Sequence, residues 1–224
     1  MAEHSGARPI AIIGGTGDLG SGLAGRWAAA GYPVILGSRA KDKAIAAAQQ
    51  MAPTGGAPIT GDDNLGAARA GDIVVIAVPY SNHDAILNEL KPALAGKIVV
   101  DAVVPLKPPK VSTVQLPEAG SAAAEAQRIL GDTVRLVTAF HNVGAAKLRG
   151  GGPIDCDVLI CGDDKEARDV VIALADAAGT RGVDGGALAN SVAAEALTSI
   201  LIGINRRYKV SNAGIRITGL PARE

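Results

Sequence analysis

Aromatic rings are scarce in this chain. One Trp, three Tyr and one Phe, 2% of 224 residues, are too few for rows of stacked bases, which excludes a single-strand nucleic-acid platform. Neither sign of charge is in excess: 22 Lys and Arg balance 22 Asp and Glu. That removes the basic surplus a general nucleic-acid or membrane-surface binder needs. The two cysteines, Cys156 and Cys161, cannot build a disulfide framework. Five positions apart around one apolar segment, they face opposite sides of a strand and read as small buried hydrophobes. His4, His83 and His141 are scattered, with no carboxylates at ligand spacing, so no metal site is expected. No apolar run approaches the roughly eighteen residues of a membrane span, and no signal-peptide pattern opens the chain. The expectation is a soluble, reduced, cytoplasmic protein with small-molecule partners, neither nucleic acid nor membrane among them.

What is abundant is apolar and small. Apolar residues make up 48% of the chain, and there are 29 glycines. A core is affordable, and backbone can approach ligands closely. Pro9–Ile13, Val34–Gly37, Asp72–Val78, Lys97–Val100, Val134–Phe140, Asp157–Cys161 and a short Gly182–Asp184 read as strands. Between them, Gly17–Ala30, Ala40–Met51 (stopped at Pro53), Ser81–Leu90, Gly120–Leu130, Asp164–Ala178 and Ala187–Tyr208 read as helices. Continuously apolar strands alternating with helices predict an α/β, Rossmann-type, doubly wound and mostly parallel sheet, with a small C-terminal helical extension. Residues 1–8 read as a flexible tail and 9–224 as one dinucleotide-binding domain. The proline-rich stretch 105–119 is a long loop of the kind that often serves function.

Residues 14–20 read Gly-Gly-Thr-Gly-Asp-Leu-Gly, with Gly15, Gly17 and Gly20 in G-x-G-x-x-G register. A strand directly before and a helix directly after raise this above chance in a glycine-rich chain. Gly15 makes the tight turn, Gly17 lets backbone approach a pyrophosphate, and Gly20 brings the helix close. The helix N-terminus then offers N–H groups and partial positive charge. The second strand ends Leu36-Gly37-Ser38-Arg39, without the acid that would hold a ribose 2′-hydroxyl. Ser38, Arg39 and Lys43, with Thr16 opposite, suit a 2′-phosphate, which predicts NADP(H) over NAD(H). The same basic residues also fit a solvated helix start.

Past the fifth long strand come His141 and Asn142, a polar pair where ligands of doubly wound folds gather. A loop histidine with a local hydrogen bond is the alternative, and His83 and His4 read as uninvolved. No Tyr–Lys proton-donor pair or nucleophile triad is present. That points to a reaction needing positioning without a dedicated acid or base, with no catalytic residue assigned beyond the candidate His141.

The segments I-I-G-G-T-G-D-L-G-S-G-L-A (12–24), G-S-R (37–39) with Lys43, D-I-V-V-I-A-V-P-Y (72–80), A-F-H-N-V (139–143), C-G-D-D (161–164) and A-G-I-R-I (213–217), in this order, resemble the NADPH-dependent coenzyme F420 reductases, the F420H2:NADP oxidoreductases. The resemblance runs from about Pro9 to Leu220. It implies reversible hydride transfer between NADP(H) and the deazaflavin F420, by stacking nicotinamide C4 against deazaflavin C5. It also implies a pyrophosphate held at Gly15, Thr16, Gly17, Asp18 and Leu19, and a 2′-phosphate at Ser38, Arg39 and Lys43. Val78, Pro79, Tyr80 and Val104 would border the cofactor, and Ala145 would lie beside the nicotinamide. His141, Asn142 and Val143, with Ala213, Gly214 and Ile215, would line the deazaflavin pocket, completed by the helix and tail at about 186–224. Archaeal members carry His-Thr-Ile-Pro where this chain has His141–Gly144, and Trp where it has Tyr80. An NADPH-dependent imine, carbonyl or flavin reductase, or a non-catalytic NADP sensor, remains as an alternative. A homodimer is expected, because the helix Ala187–Tyr208 is apolar on more than one side.

Overall fold

The structure is a computed structural model and describes residues 7–51 and 55–221. His4, most of the expected 1–8 tail and the Pro53 helix stop lie outside the described residues. The central runs become strands because four consecutive buried residues, rich in Ile and Val, fit a sheet covered on both faces. These are β1 (Ile10–Ile13), β4 (Ile73–Ile76) and β5 (Ile98–Asp101), with β2 (Val34–Ser38) and β3 (Ile59–Asp63) on one side and β6 (Arg135–Thr138), β7 (Asp157–Gly162) and β8 (Arg181–Gly186) on the other. The sheet order is β3-β2-β1-β4-β5-β6-β7-β8. Every pairing is parallel except β6 with β7.

The helices are α1 (Asp18–Ala29), α2 (Lys41–Met51), α3 (Asn64–Ala70), α4 (His83–Leu94), α5 (Ala122–Leu130), α6 (Ala145–Arg149), α7 (Lys165–Ala177) and α8 (Ser191–Tyr208). One apolar cluster joins α1, α2 and α7 to one sheet face around Trp27. The other joins α3, α4 and α5 to the opposite face. Strand order reverses between β1 and β4, which opens a crevice above their carboxyl ends.

Three elements went unread in the sequence: β3, α3 and α6. The last strand is also longer than Gly182–Asp184. One expectation needs correcting. Leu188–Tyr208 is long and apolar enough, by length and composition, to cross a membrane. Asn190, Ser191, Glu195, Thr198 and Ser199 interrupt the segment, so it shows no unbroken apolar run in the sequence. Here the helix packs against α5 and β7. Its buried Glu195 accepts hydrogen bonds from the Ala122 and Ala123 N–H groups, at 2.7 and 3.0 Å, capping α5 from outside.

Candidate cofactor-binding site

A cleft of about 410 Å³ lies over the β1–β4 crevice. Gly14, Thr16 and Gly17 form its floor, Ser38, Arg39 and Asn64 one wall, and Ala77, Val78, Pro79 and the α4 face from Asn82 to Glu89 the other. Gly14 has φ +82, and a Cβ there would sit 2.5 Å from the Ala77 carbonyl oxygen, so the turn after β1 presses directly on the end of β4. A Cβ on Gly20 would meet the Gly14 oxygen at 2.7 Å, which seats α1 against the turn itself. Gly17 is the N-cap of α1 and no side chain caps it. The first-turn N–H groups of Asp18 and Leu19 therefore have no intrahelical acceptor, the arrangement that receives a phosphate. The Asp18 carboxylate turns away to Arg149 at 2.7 Å, and Leu19 packs into the core. These two residues thus offer backbone only.

At the far wall the Ser38 hydroxyl accepts from Ala40 N–H at 3.3 Å. The carboxylates nearest in register are already engaged. Asp62 pairs with Lys41 at 2.7 Å, and Asp63 caps α3 through Gly66 N–H. Among the described residues neither Arg39 nor Lys43 has an ion-pair partner. Arg39 lines the cleft, while Lys43, a turn into α2, stands exposed outside it. Asn64 went unread in the sequence. It is 4% exposed, its Oδ1 is buried without a partner, and it lines the cleft. An orphaned buried acceptor at that wall and an uncapped helix N-terminus on the floor fit a dinucleotide. Val78 and Pro79 line the cleft as expected, but the Tyr80 side chain does not. Its O–H donates to Glu125 at 2.9 Å, and burial pushes its pKa up. Val104 and Ala145 lie at neighbouring loop and helix starts, outside the lining.

The carboxyl ends of β4, β5 and β6 stand in one row, with Ala102 N–H bonded to Ile76 and Ala139 N–H to Asp101. After β6 the chain turns sharply at Phe140, whose φ is +67. This aims His141 inward. The ring is buried, both nitrogens lack partners, and burial pushes its pKa down to about 4 against the opposing pull of Asp101. Asn142 also braces β7: its amide donates to the Asp157 carbonyl at 2.6 Å and its oxygen accepts from Leu159 N–H at 3.4 Å. A small cavity of about 120 Å³ gathers His141, Asn142, Val143 and Ala213 against Thr198, Leu201 and Asn205 of α8. Gly214 and Ile215 sit behind it, Gly214 against Cys156 and Ile215 accepting from Asp157 N–H at 2.8 Å. Burial raises both cysteine pKa values, as for unreactive thiols.

His83, read as uninvolved, is absent from the linings of both cavities but makes a buried contact. It is wholly buried at the start of α4, and its Nε2 lies 2.9 Å from Asp101 Oδ2. Carboxylates without ligand spacing in the sequence gather beside it in space. His83, Asp84 and Glu125 bring ligand atoms within 4.8 Å of one another. Contacts between α4 and α5, some forty residues apart, carry no spacing signal in sequence.

Sheet order, the glycine turn and the uncapped α1 define a dinucleotide-binding oxidoreductase fold of the Rossmann type. The model of "NADP oxidoreductase coenzyme F420-dependent" matches residues 9–105. The chain is 43% identical to an F420-dependent NADP reductase of Methanocaldococcus jannaschii, over 94% of this chain and 98% of that one. It is 40% identical to one of Methanothermobacter marburgensis, over 95% and 99%. A crystal structure from Arthrobacter sp. FB24, assigned to the same reductases, superposes with a TM-score of 0.77 at 24% identity, covering 93% of this chain and 98% of that one, a likeness of fold. The chain belongs to the F420-dependent NADP reductase family.

Proposed function

We propose that this protein transfers hydride reversibly between NADP(H) and coenzyme F420. One observation carries the cofactor half: a cleft whose floor is an uncapped helix N-terminus and whose wall offers Ser38 and Arg39, unpaired among the described residues, while the carboxylates in register there, Asp62 and Asp63, are engaged elsewhere. First-turn N–H groups hold pyrophosphate, Arg39 and Ser38 take the 2′-phosphate, and Lys43 adds long-range attraction. Val78 and Pro79 press the nicotinamide end, with Val104 and Ala145 beside it. The two bound rings supply the redox chemistry, with hydride passing between facing carbons. The protein's share is to hold them about 3–3.5 Å apart and exclude water. His141 stays neutral near neutral pH and adds no charge to that surface.

The acceptor half belongs to the His141–Val143 loop, the end of α8 and the tail Ala213–Ile215. Their cavity, about 120 Å³, is smaller than the roughly 300–1,000 Å³ of cofactor pockets. A deazaflavin therefore rests on its mouth or parts the tail from α8. Exposed Ile200, Tyr208, Val210 and Ile217 on that side support a homodimer with this surface inside. We take the setting to be cytoplasmic.

The test mixes purified protein with NADPH and oxidised F420 and follows the deazaflavin absorbance, with NADH and FMN arms in parallel. Fast bleaching with NADPH and F420 alone is expected. Bound NADPH without bleaching would sink the acceptor assignment and leave the 2′-phosphate site standing. Light scattering of the same sample reads the dimer.

A further inference from the structure

We propose that His83, Asp84 and Glu125 form a binding site for a borderline divalent transition ion, Zn²⁺ being the type, which ties α4 to α5 beside the cofactor cleft. The site is independent of the hydride-transfer reading.

The two ring nitrogens of His83 face different surroundings. Asp101 is 1% exposed and takes the His83 Nε2 side at 2.9 Å, while its other oxygen accepts from Val103 N–H at 3.1 Å. In the neutral ring, a carboxylate so fixed keeps the proton on Nε2 and leaves the lone pair on Nδ1. A carboxylate on one nitrogen, with the other facing outward from the pair, is the orientation metal-binding histidines adopt. His83 Nδ1 is buried and has no hydrogen-bond partner. What it faces is anionic: Asp84 Oδ1 lies 4.0 Å away, and an oxygen of Glu125 completes a triangle with every side within 4.8 Å.

Those distances are too long for hydrogen bonds yet short enough to converge on one ion. Zinc bonds to imidazole nitrogen and carboxylate oxygen at roughly 2.0–2.2 Å, so adjustments of about 1 Å in the exposed Asp84 side chain and in Glu125 suffice. Glu125 is itself held, by the Tyr80 O–H at 2.9 Å, in the manner of an outer partner that orients a ligating carboxylate. Asp84, with a side chain 61% exposed, gives the entry path and leaves a position for water. One imidazole and two carboxylates choose among cations: Mg²⁺ and Ca²⁺ prefer all-oxygen sets, whereas Zn²⁺ accepts mixed N and O. The elements meeting here are α4 through His83 and Asp84, and α5 through Glu125. The turn between β4 and α4 carries Pro79 and Asn82 into the cleft wall. An ion at this point would stiffen that wall without touching the reacting rings.

The test uses the full-length protein, stripped with a chelator and dialysed, with zinc chloride or magnesium chloride as probe. Bound metal is measured by elemental analysis and calorimetric titration, and the melting temperature is followed alongside. One Zn²⁺ per chain, a rise in Tm with Zn²⁺ but not Mg²⁺, and visible ligand-field bands on Co²⁺ substitution are expected. Asp84→Asn, on an exposed side chain that leaves the core intact, and Glu125→Gln should each weaken Zn²⁺ binding by roughly 100-fold or more. Tyr80→Phe, which removes only the outer hydrogen bond, should weaken it roughly tenfold. Glu166→Gln, exposed on α7, should bind as the parent does. Absence of Zn²⁺ uptake by the folded parent, or uptake unchanged in both Asp84→Asn and Glu125→Gln, overturns the proposal.

Discussion

The Phe140 ring meets the Trp27 indole edge-on, with centroids 5.7 Å apart and planes at 72°. Trp27 is in turn fixed by its Nε1–H donating to the Leu174 carbonyl at 2.8 Å. Phe140 therefore adopts a left-handed backbone that its bulk would otherwise resist, because its ring is locked in the core. The contact sets the direction in which the chain enters the His141–Val143 loop. Phe140→Ala should lower stability by roughly 3–5 kcal/mol in urea unfolding. A loss below about 1 kcal/mol would mean the loop is held by Asn142 alone.

Arg39 supplies the test of cofactor choice. Its guanidinium is exposed, unpaired among the described residues and on the cleft wall. A charge-assisted hydrogen bond to phosphate is worth about 1.5–3 kcal/mol, so Arg39→Ala should raise KM for NADPH roughly 10- to 150-fold. KM for NADH should stay where it was. Equal changes for both cofactors would place the 2′-phosphate elsewhere.

Gly14 is the turn's least replaceable position. Left-handed backbone costs an Ala about 1–2 kcal/mol before any clash, and its Cβ would also strike the Ala77 carbonyl. Gly14→Ala should lower Tm and weaken NADPH binding together. A normal melt with normal NADPH titration would show that the turn can shift away from β4.

Two buried groups give stability opposite dependences on pH. His141 has an ordinary value of 6.5 and is pushed to about 4 in the fold. Between these values the unfolded chain binds a proton that the native chain refuses, so stability falls on acidification by up to roughly 3 kcal/mol. Glu195 runs the other way, pushed from 4.5 to about 7, mainly by burial, with the Ala123 and Ala122 N–H groups pulling back. Its contribution is full below about 4.5 and is lost as pH rises through about 7. Urea midpoints against pH should lose their acid-side fall in His141→Gln and their neutral-side fall in Glu195→Gln. Parallel curves for parent and variant would refute the assignment for that residue.

The parts of this fold that announce themselves are those in which one short segment carries the whole signal. Ile10–Ile13, the glycine turn and α1 form a continuous run, so their roles follow from spacing. Ile59–Asp63 did not announce itself because an edge strand holds few apolar residues, and here its last two positions serve Lys41 and the α3 cap. Asn64, next to that strand, went unseen with it. His141 and Asn142 were marked by their place after a strand, but nothing in that place announced that Asn142 also braces β7. The His83–Asp84–Glu125 grouping depends on two helices meeting, which no local pattern records.

The cap that Glu195 places on α5 has a practical consequence for anyone dividing the chain. Cutting before Ala187, where the helical extension begins, strips two donors at Ala122 and Ala123 of their acceptor, 73 and 72 positions upstream of Glu195. A shortened protein would carry an exposed, frayed helix in its nucleotide half, so such a fragment is the wrong starting material for crystallisation or domain grafting.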